Sequence, residues 1–156
     1  MEDLKMKTPE SAKYLNVLLN FLGFIVILSL FGFISYLFNL ENFTSFESLI
    51  ILVPSAIYLS AILAVVVMLK RVVKTIIFLQ NPLVKENVTR FKKSAYIFFA
   101  VGTLEFSIML IAEIVINEPI FNYGFIFPLF IGCVILVLAD VFKFAITIKE
   151  DNDLTV

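Results

Sequence analysis

Residues 48–69 read SLIILVPSAIYLSAILAVVVML, and residues 70–93 continue KRVVKTIIFLQNPLVKENVTRFKK. The first stretch carries no charge and, wound as a helix, is long enough to cross about 30 Å of hydrocarbon. The second holds seven Lys and Arg residues against one acid, Glu86. An apolar run that stops at a basic cluster describes a membrane span and the polar layer beyond it. Working outward, Val17–Phe38, Ser94–Ile116 and Gly124–Ile146 repeat the pattern. None alternates polar and apolar residues as a barrel strand does, so helices are the way to satisfy the backbone in lipid. With 61% hydrophobic residues and a mean hydropathy of +1.03, the chain has too little polar surface to enclose a soluble core. The expectation is an all-α membrane protein of one domain, residues 1–156, with four transmembrane helices. The short connections 39–47 and 117–123 imply an up-down-up-down bundle.

The basic residues set the orientation. Lys5, Lys7 and Lys13 precede the first span; Lys70, Arg71, Lys74, Lys85, Arg90, Lys92 and Lys93 separate the second from the third; Lys143 and Lys149 close the fourth. These are all twelve, whereas the other two connections offer only Glu41, Glu47 and Glu118. Both termini and the middle loop are therefore expected in the cytoplasm. Tyr14 and Tyr96 fall at the inner interface and Tyr36 and Tyr123 at the outer one, as aromatic belts do. The net charge of -1 averages a basic loop with acidic ends. No small-residue cleavage pattern follows Phe38, so the first span reads as a retained helix rather than a secretory signal. The single cysteine, Cys133, forms no disulfide framework and is expected in packing.

Pro82 after Asn81 divides the segment Lys70–Lys93 into two helical pieces. The first continues the second span past the membrane, where Lys70, Arg71 and Lys74 would anchor it or attract anionic headgroups. Ala56, Ser60 and Ala64 form a strip of small residues suited to close helix contact inside the bundle. Glu105, at the middle of the third span, and Glu113 are the intramembrane acids. A central acid costs roughly 2.5 to 3.5 kcal/mol on insertion, less than the roughly 4 to 7 kcal/mol that twelve Leu, Ile, Phe and Val residues of the same span contribute. Two readings stand: a proton or cation path from Glu105 toward Glu113, or a protonated Glu105 hydrogen-bonded across the bundle to Asn20, Tyr58, Ser60, Thr103 or Ser107. Asp140 and Lys143, three residues apart, suggest a local pair.

The chain contains no histidine and no P-loop or GxGxxG pattern. That removes HExxH, Ser-His-Asp and Cys-His chemistry. No catalytic residue, metal site or cofactor is expected, and no direct binding to nucleic acid.

The loop 81–93, NPLVKENVTRFKK, and the ending 148–156, IKEDNDLTV, resemble the YoaS-like bacterial membrane proteins, domain of unknown function family 2975. In that family the loop has Pro followed by an aromatic and the tail an acidic Asn-Asp-Leu-Thr ending. Here Leu83 replaces the aromatic, and Val84 stands where a capping Ser or Thr would be expected. The resemblance implies a protein of the bacterial cell membrane with no established activity, in a family often encoded beside small helix-turn-helix regulators. It makes a cytoplasmic regulator the implied partner, with Lys70, Arg71, Lys74, Pro82, Glu86, Asn87, Arg90, Asn152, Asp153, Leu154 and Thr155 as interaction candidates. The basic loop and acidic tail, residues 147–156, carry opposite charge and suggest a fold-back latch built from exposed pairs of about 0 to 1 kcal/mol each. A small proton- or cation-coupled transporter component using Glu105 is the alternative, and an accessory subunit of a larger membrane complex the third reading.

Overall fold

The computed structural model describes residues 10–38, 46–79, 81–116 and 124–154. They form four helices: α1 Glu10–Phe38, α2 Phe46–Leu79, α3 Lys85–Ile116 and α4 Ile126–Asp153. All four are long and apolar enough to cross a membrane. Large side chains such as Phe21, Phe24, Phe31, Phe127 and Phe130 stand exposed along them. In water that surface would be intolerable, whereas in lipid it is the solvated face. This is a multi-pass membrane protein.

Helix α2 runs through the basic residues to Leu79 and ends just before Asn81–Pro82. Proline has no N–H to give and disfavours helical backbone in the residue ahead of it. Asn81 completes the stop, its Oδ1 accepting the Leu83 N–H at 3.0 Å. Val84 then donates to the Pro82 carbonyl at 3.1 Å and Asn87 to the Val84 carbonyl at 3.0 Å, which starts α3. At the other end of the chain, the residues read as an acidic tail are helical through Asp153, and Leu154 donates to the Glu150 carbonyl at 3.2 Å.

Burial follows a seven-residue rhythm. On α1 the buried residues are Ala12, Leu19 and Val26, with Asn16 and Gly23 half-buried between them. Helix α2 has two adjacent stripes, Val65 with Val72 and Val66 with Val73; α3 has Asn87, Ser94 and Val101 beside Val88, Ala95 and Gly102; α4 has Gly132, Ala139 and Ile146. A repeat of about 3.5 residues keeps one seam turned toward a neighbour, as in left-handed helix pairs. The outer helices therefore have one seam and the inner helices two. Among the described residues α1 packs on α2, α2 on α3 and α3 on α4, with no close approach of α1 to α4. The described helices form a row left open between its first and last members.

Leu19 packs with Val66 and Val73, while Gly23 faces Val66. The α3–α4 seam is made of small residues: a Cβ placed on Gly102 would lie 2.7 Å from Leu129, and one on Gly132 would lie 3.2 Å from the Ala95 carbonyl. Close approach, rather than exclusion of water, drives such contacts in lipid. The strip Ala56, Ser60, Ala64 is not this tight seam. Ser60 is exposed and its hydroxyl donates to the Ile57 carbonyl of its own helix at 2.8 Å. Cys133 also is exposed rather than packed, because it flanks the seam position Gly132.

Helix α4 is displaced along its neighbours. Ser94, where the apolar run of α3 begins, reaches Met68 near the end of the α2 run. Only two residues earlier, Lys92 pairs with Asp140, and Lys85 pairs with Glu150. Residues 141–153 of α4 therefore extend about 20 Å past the level at which α2 and α3 become charged.

Candidate functional site

The described polar side chains gather where α2 ends, α3 begins and α4 runs past. Asn87 and Ser94 are fully buried, one heptad apart on the α3 face that meets α2. A buried amide is tolerated only when its polar atoms are paired. Asn87 meets that demand on both sides: Nδ2 donates to the Pro82 carbonyl at 3.0 Å, and Oδ1 accepts from Arg90 at 2.7 Å. The same Arg90 Nη1 donates to Thr75 Oγ1 at 2.9 Å and to the Arg71 carbonyl at 3.4 Å. Thr75 in turn donates to the Arg71 carbonyl at 2.9 Å. Arg90 thus bridges the last turns of α2 to the first turn of α3 through neutral oxygens, and Asn87 ties both to the turn at Pro82. Ser94 Oγ donates to Met68 Sδ at 3.5 Å one level deeper.

Around this clasp lie the charged surfaces. Arg71 and Lys74 are exposed on α2, and Lys85, Glu86 and Lys93 on α3; Lys70 is half-buried. Two ion pairs join α3 to α4 here, Lys85 Nζ to Glu150 Oε1 at 2.9 Å and Lys92 Nζ to Asp140 Oδ1 at 3.5 Å. The structure therefore brings Arg71, Pro82, Asn87 and Arg90 into one network, with Lys74 and Glu86 at its rim. Asn152, Asp153 and Leu154 lie at the exposed end of α4, and Thr155 lies outside the described residues. The fold-back of acid onto base takes the form of Glu150 on Lys85, inside a continuous helix. Asp140 reaches across to Lys92 because the stagger of α4 places them at one level; helical spacing alone pointed to Lys143.

Glu105 is half-buried on α3, and Glu113 is exposed on the same helix. Among the described residues Glu105 has no hydrogen bond or ion pair. Ser60 and Ser107, both considered as donors to it, are turned to the carbonyls of Ile57 and Thr103. Thr75 belongs to the network but escapes a reading of the sequence, whereas Asn81, which shapes the turn beside it, does not. An Asn before Pro is a recognisable turn signal for Asn81; Thr75 offers none, since its partner Arg90 is fifteen residues away.

A family model described as protein of unknown function (DUF2975) matches residues 69–156. The match begins where α2 meets the basic segment and takes in the clasp, the α3–α4 seam and both ion pairs. No curated protein and no solved structure matches the chain.

Proposed function

We propose that this chain, which belongs to the DUF2975 family, is a bacterial cell-membrane protein whose basic helical end captures a cytoplasmic protein. In this reading the four helices run up-down-up-down and both termini face the cytoplasm, as the one-sided distribution of Lys and Arg supports. The partner carries an acidic surface, and a small helix-turn-helix regulator fits that role. The reading is non-catalytic, in keeping with a chain that lacks histidine.

One observation carries it: Arg90 and Asn87 hold the ends of α2 and α3 together, so that Arg71, Lys74 and Lys93 are presented on preformed helices. A surface that is already ordered loses little freedom on binding. The test is photocrosslinking in intact cells from Lys74, identifying the captured chain, and repeating the capture with Arg71→Glu and Lys74→Glu. Capture of one cytoplasmic protein that disappears on charge reversal supports the reading; capture that ignores the reversal, or none, overturns it.

A second reading rests on Glu105. An intramembrane carboxyl without a partner among the described residues suits a small proton- or cation-coupled transporter component. Flux into liposomes that depends on pH and is lost in Glu105→Gln would favour it over capture.

A further inference from the structure

We infer that an anionic phospholipid lies against the α2–α3 cleft, its phosphate held by Arg90 between Arg71 and Lys93. The helices themselves set the level. Ser94 meets Met68, so the apolar runs of α2 and α3 end in one plane, and Lys93 stands at that plane. Arg90 lies four residues before Ser94, about 6 Å further out, and it reaches the Arg71 carbonyl, which puts Arg71 beside it. Headgroups occupy roughly the first 5 to 7 Å beyond the hydrocarbon. These three cations therefore stand where lipid phosphates do. They also share a face, because Thr75, which accepts from Arg90, is one turn from Arg71, and Lys93 is one turn from Arg90.

Charge sets this face apart from the rest of the basic end. Toward α4 the cations are neutralised, Lys85 by Glu150 and Lys92 by Asp140, whereas Arg71, Arg90 and Lys93 have no carboxylate partner among the described residues. Glu86, one turn further from the membrane than Arg90, is exposed and does not pair with it. Arg90 is half-buried, and its Nη1 is turned to three neutral oxygens, those of Arg71, Thr75 and Asn87. A charge partly withdrawn from water calls for an opposite charge. Its Nη2 and Nε make no hydrogen bond among the described residues and keep their N–H groups to give. A phosphate meets both needs, since the guanidinium fork matches two of its oxygens. The fork is already fixed by the clasp, so little freedom is lost on binding. The capture reading shares Arg71 and Lys93, but this inference does not rest on it: capture is read in cells from Lys74, and lipid retention in the purified chain with no other protein present.

The test is native mass measurement of the full chain released from micelles doped equally with phosphatidylglycerol and phosphatidylcholine. The unsubstituted chain is expected to retain phosphatidylglycerol in preference. Arg71→Gln combined with Lys93→Gln removes two exposed side chains that make no bond in the clasp. It should lower the preference roughly thirtyfold, the equivalent of about 1 kcal/mol for each basic residue lost. Lys85→Gln combined with Lys149→Gln takes the same charge from the α4 side and should leave the preference unchanged. Equal retention of the two lipids by the unsubstituted chain overturns the inference and leaves the face to an acidic protein. A preference that survives the loss of Arg71 and Lys93 also overturns it, as does an equal fall in both double variants, which would reflect net charge alone.

Discussion

Asn87 is the side chain on which the polar end turns, since it is fully buried yet bonded to Pro82 and Arg90. Asn87→Ala leaves Arg90 without its shortest acceptor and the Pro82 carbonyl without its donor. Removing one partner of a buried pair costs about 1 to 3 kcal/mol, and unfolding of the purified protein in mixed micelles should register a loss of that size. Arg90→Lys should lose stability as well, because the shorter, point-like ammonium does not sit where Arg90 Nη1 meets Asn87 Oδ1, Thr75 Oγ1 and the Arg71 carbonyl together. Glu105 behaves differently. With no bonded partner among the described residues, Glu105→Gln removes no interaction and should leave stability within about 0.5 kcal/mol of the parent, as substitutions away from paired networks do. A larger loss in the same unfolding measurement would show that the carboxyl has a structural partner. Residue by residue, the sequence is a fair guide where chemistry is local: Asn81–Pro82 announces its turn, and Pro82, Asn87 and Arg90 fall inside the loop motif. It is silent where the partner is distant, as for Thr75 with Arg90 and Asp140 with Lys92.

At the scale of the helices, the α3–α4 seam depends on side chains that are not there. Gly132→Ala sets a methyl 3.2 Å from the Ala95 carbonyl, a backbone atom that cannot turn aside, and Gly102→Ala meets Leu129 closer still. Each should destabilise the pairing by about 1 to 3 kcal/mol, the usual cost of overfilling a packed site. Gly32→Ala meets nothing within 4 Å and should be neutral or up to about 1 kcal/mol more stable, since alanine favours helix over glycine. The same unfolding measurement ranks all three. The exposed pair Lys85–Glu150 belongs at the weak end, and Glu150→Lys should cost no more than about 1 kcal/mol, less at high salt. The existence of four helices was legible because lipid demands long apolar runs. Their seams were not, since in a membrane span the packed and the solvated faces are both apolar. On α1 the difference lies in size: Ala12, Asn16 and Gly23 turn inward while Phe21, Phe24 and Phe31 turn to the surround. Pattern reading that weighs polarity alone passes over this, and so it selected Ala56, Ser60 and Ala64 in place of Ala95, Gly102, Gly132 and Ala139.

Seen whole, the molecule is an open row in which the first and last helices each rest on one neighbour, held by different means. Helix α4 is held by close small-residue packing, by the ring pairs Phe91–Phe142 and Phe106–Phe125, each 5.1 Å between centroids, and by two ion pairs. Helices α2 and α3 are tied by the clasp and the Ser94–Met68 contact. Helix α1 has a single seam on α2, and on its inward side the Asn16 Oδ1 atom is buried without a hydrogen-bond partner among the described residues. An unpaired buried carbonyl costs roughly 1 to 3 kcal/mol, which is stability withheld from the one contact α1 makes. Pulling the chain out of a bicelle by its ends should therefore release α1 first and at the lowest force, with α2, α3 and α4 leaving later. Asn16→Leu, which replaces the orphaned amide by an apolar side chain of the same branched shape, should raise the force of that first step and leave the later ones unchanged. Simultaneous loss of all four helices, or a first step unaffected by Asn16→Leu, would mean that α1 is bound by more than its seam on α2.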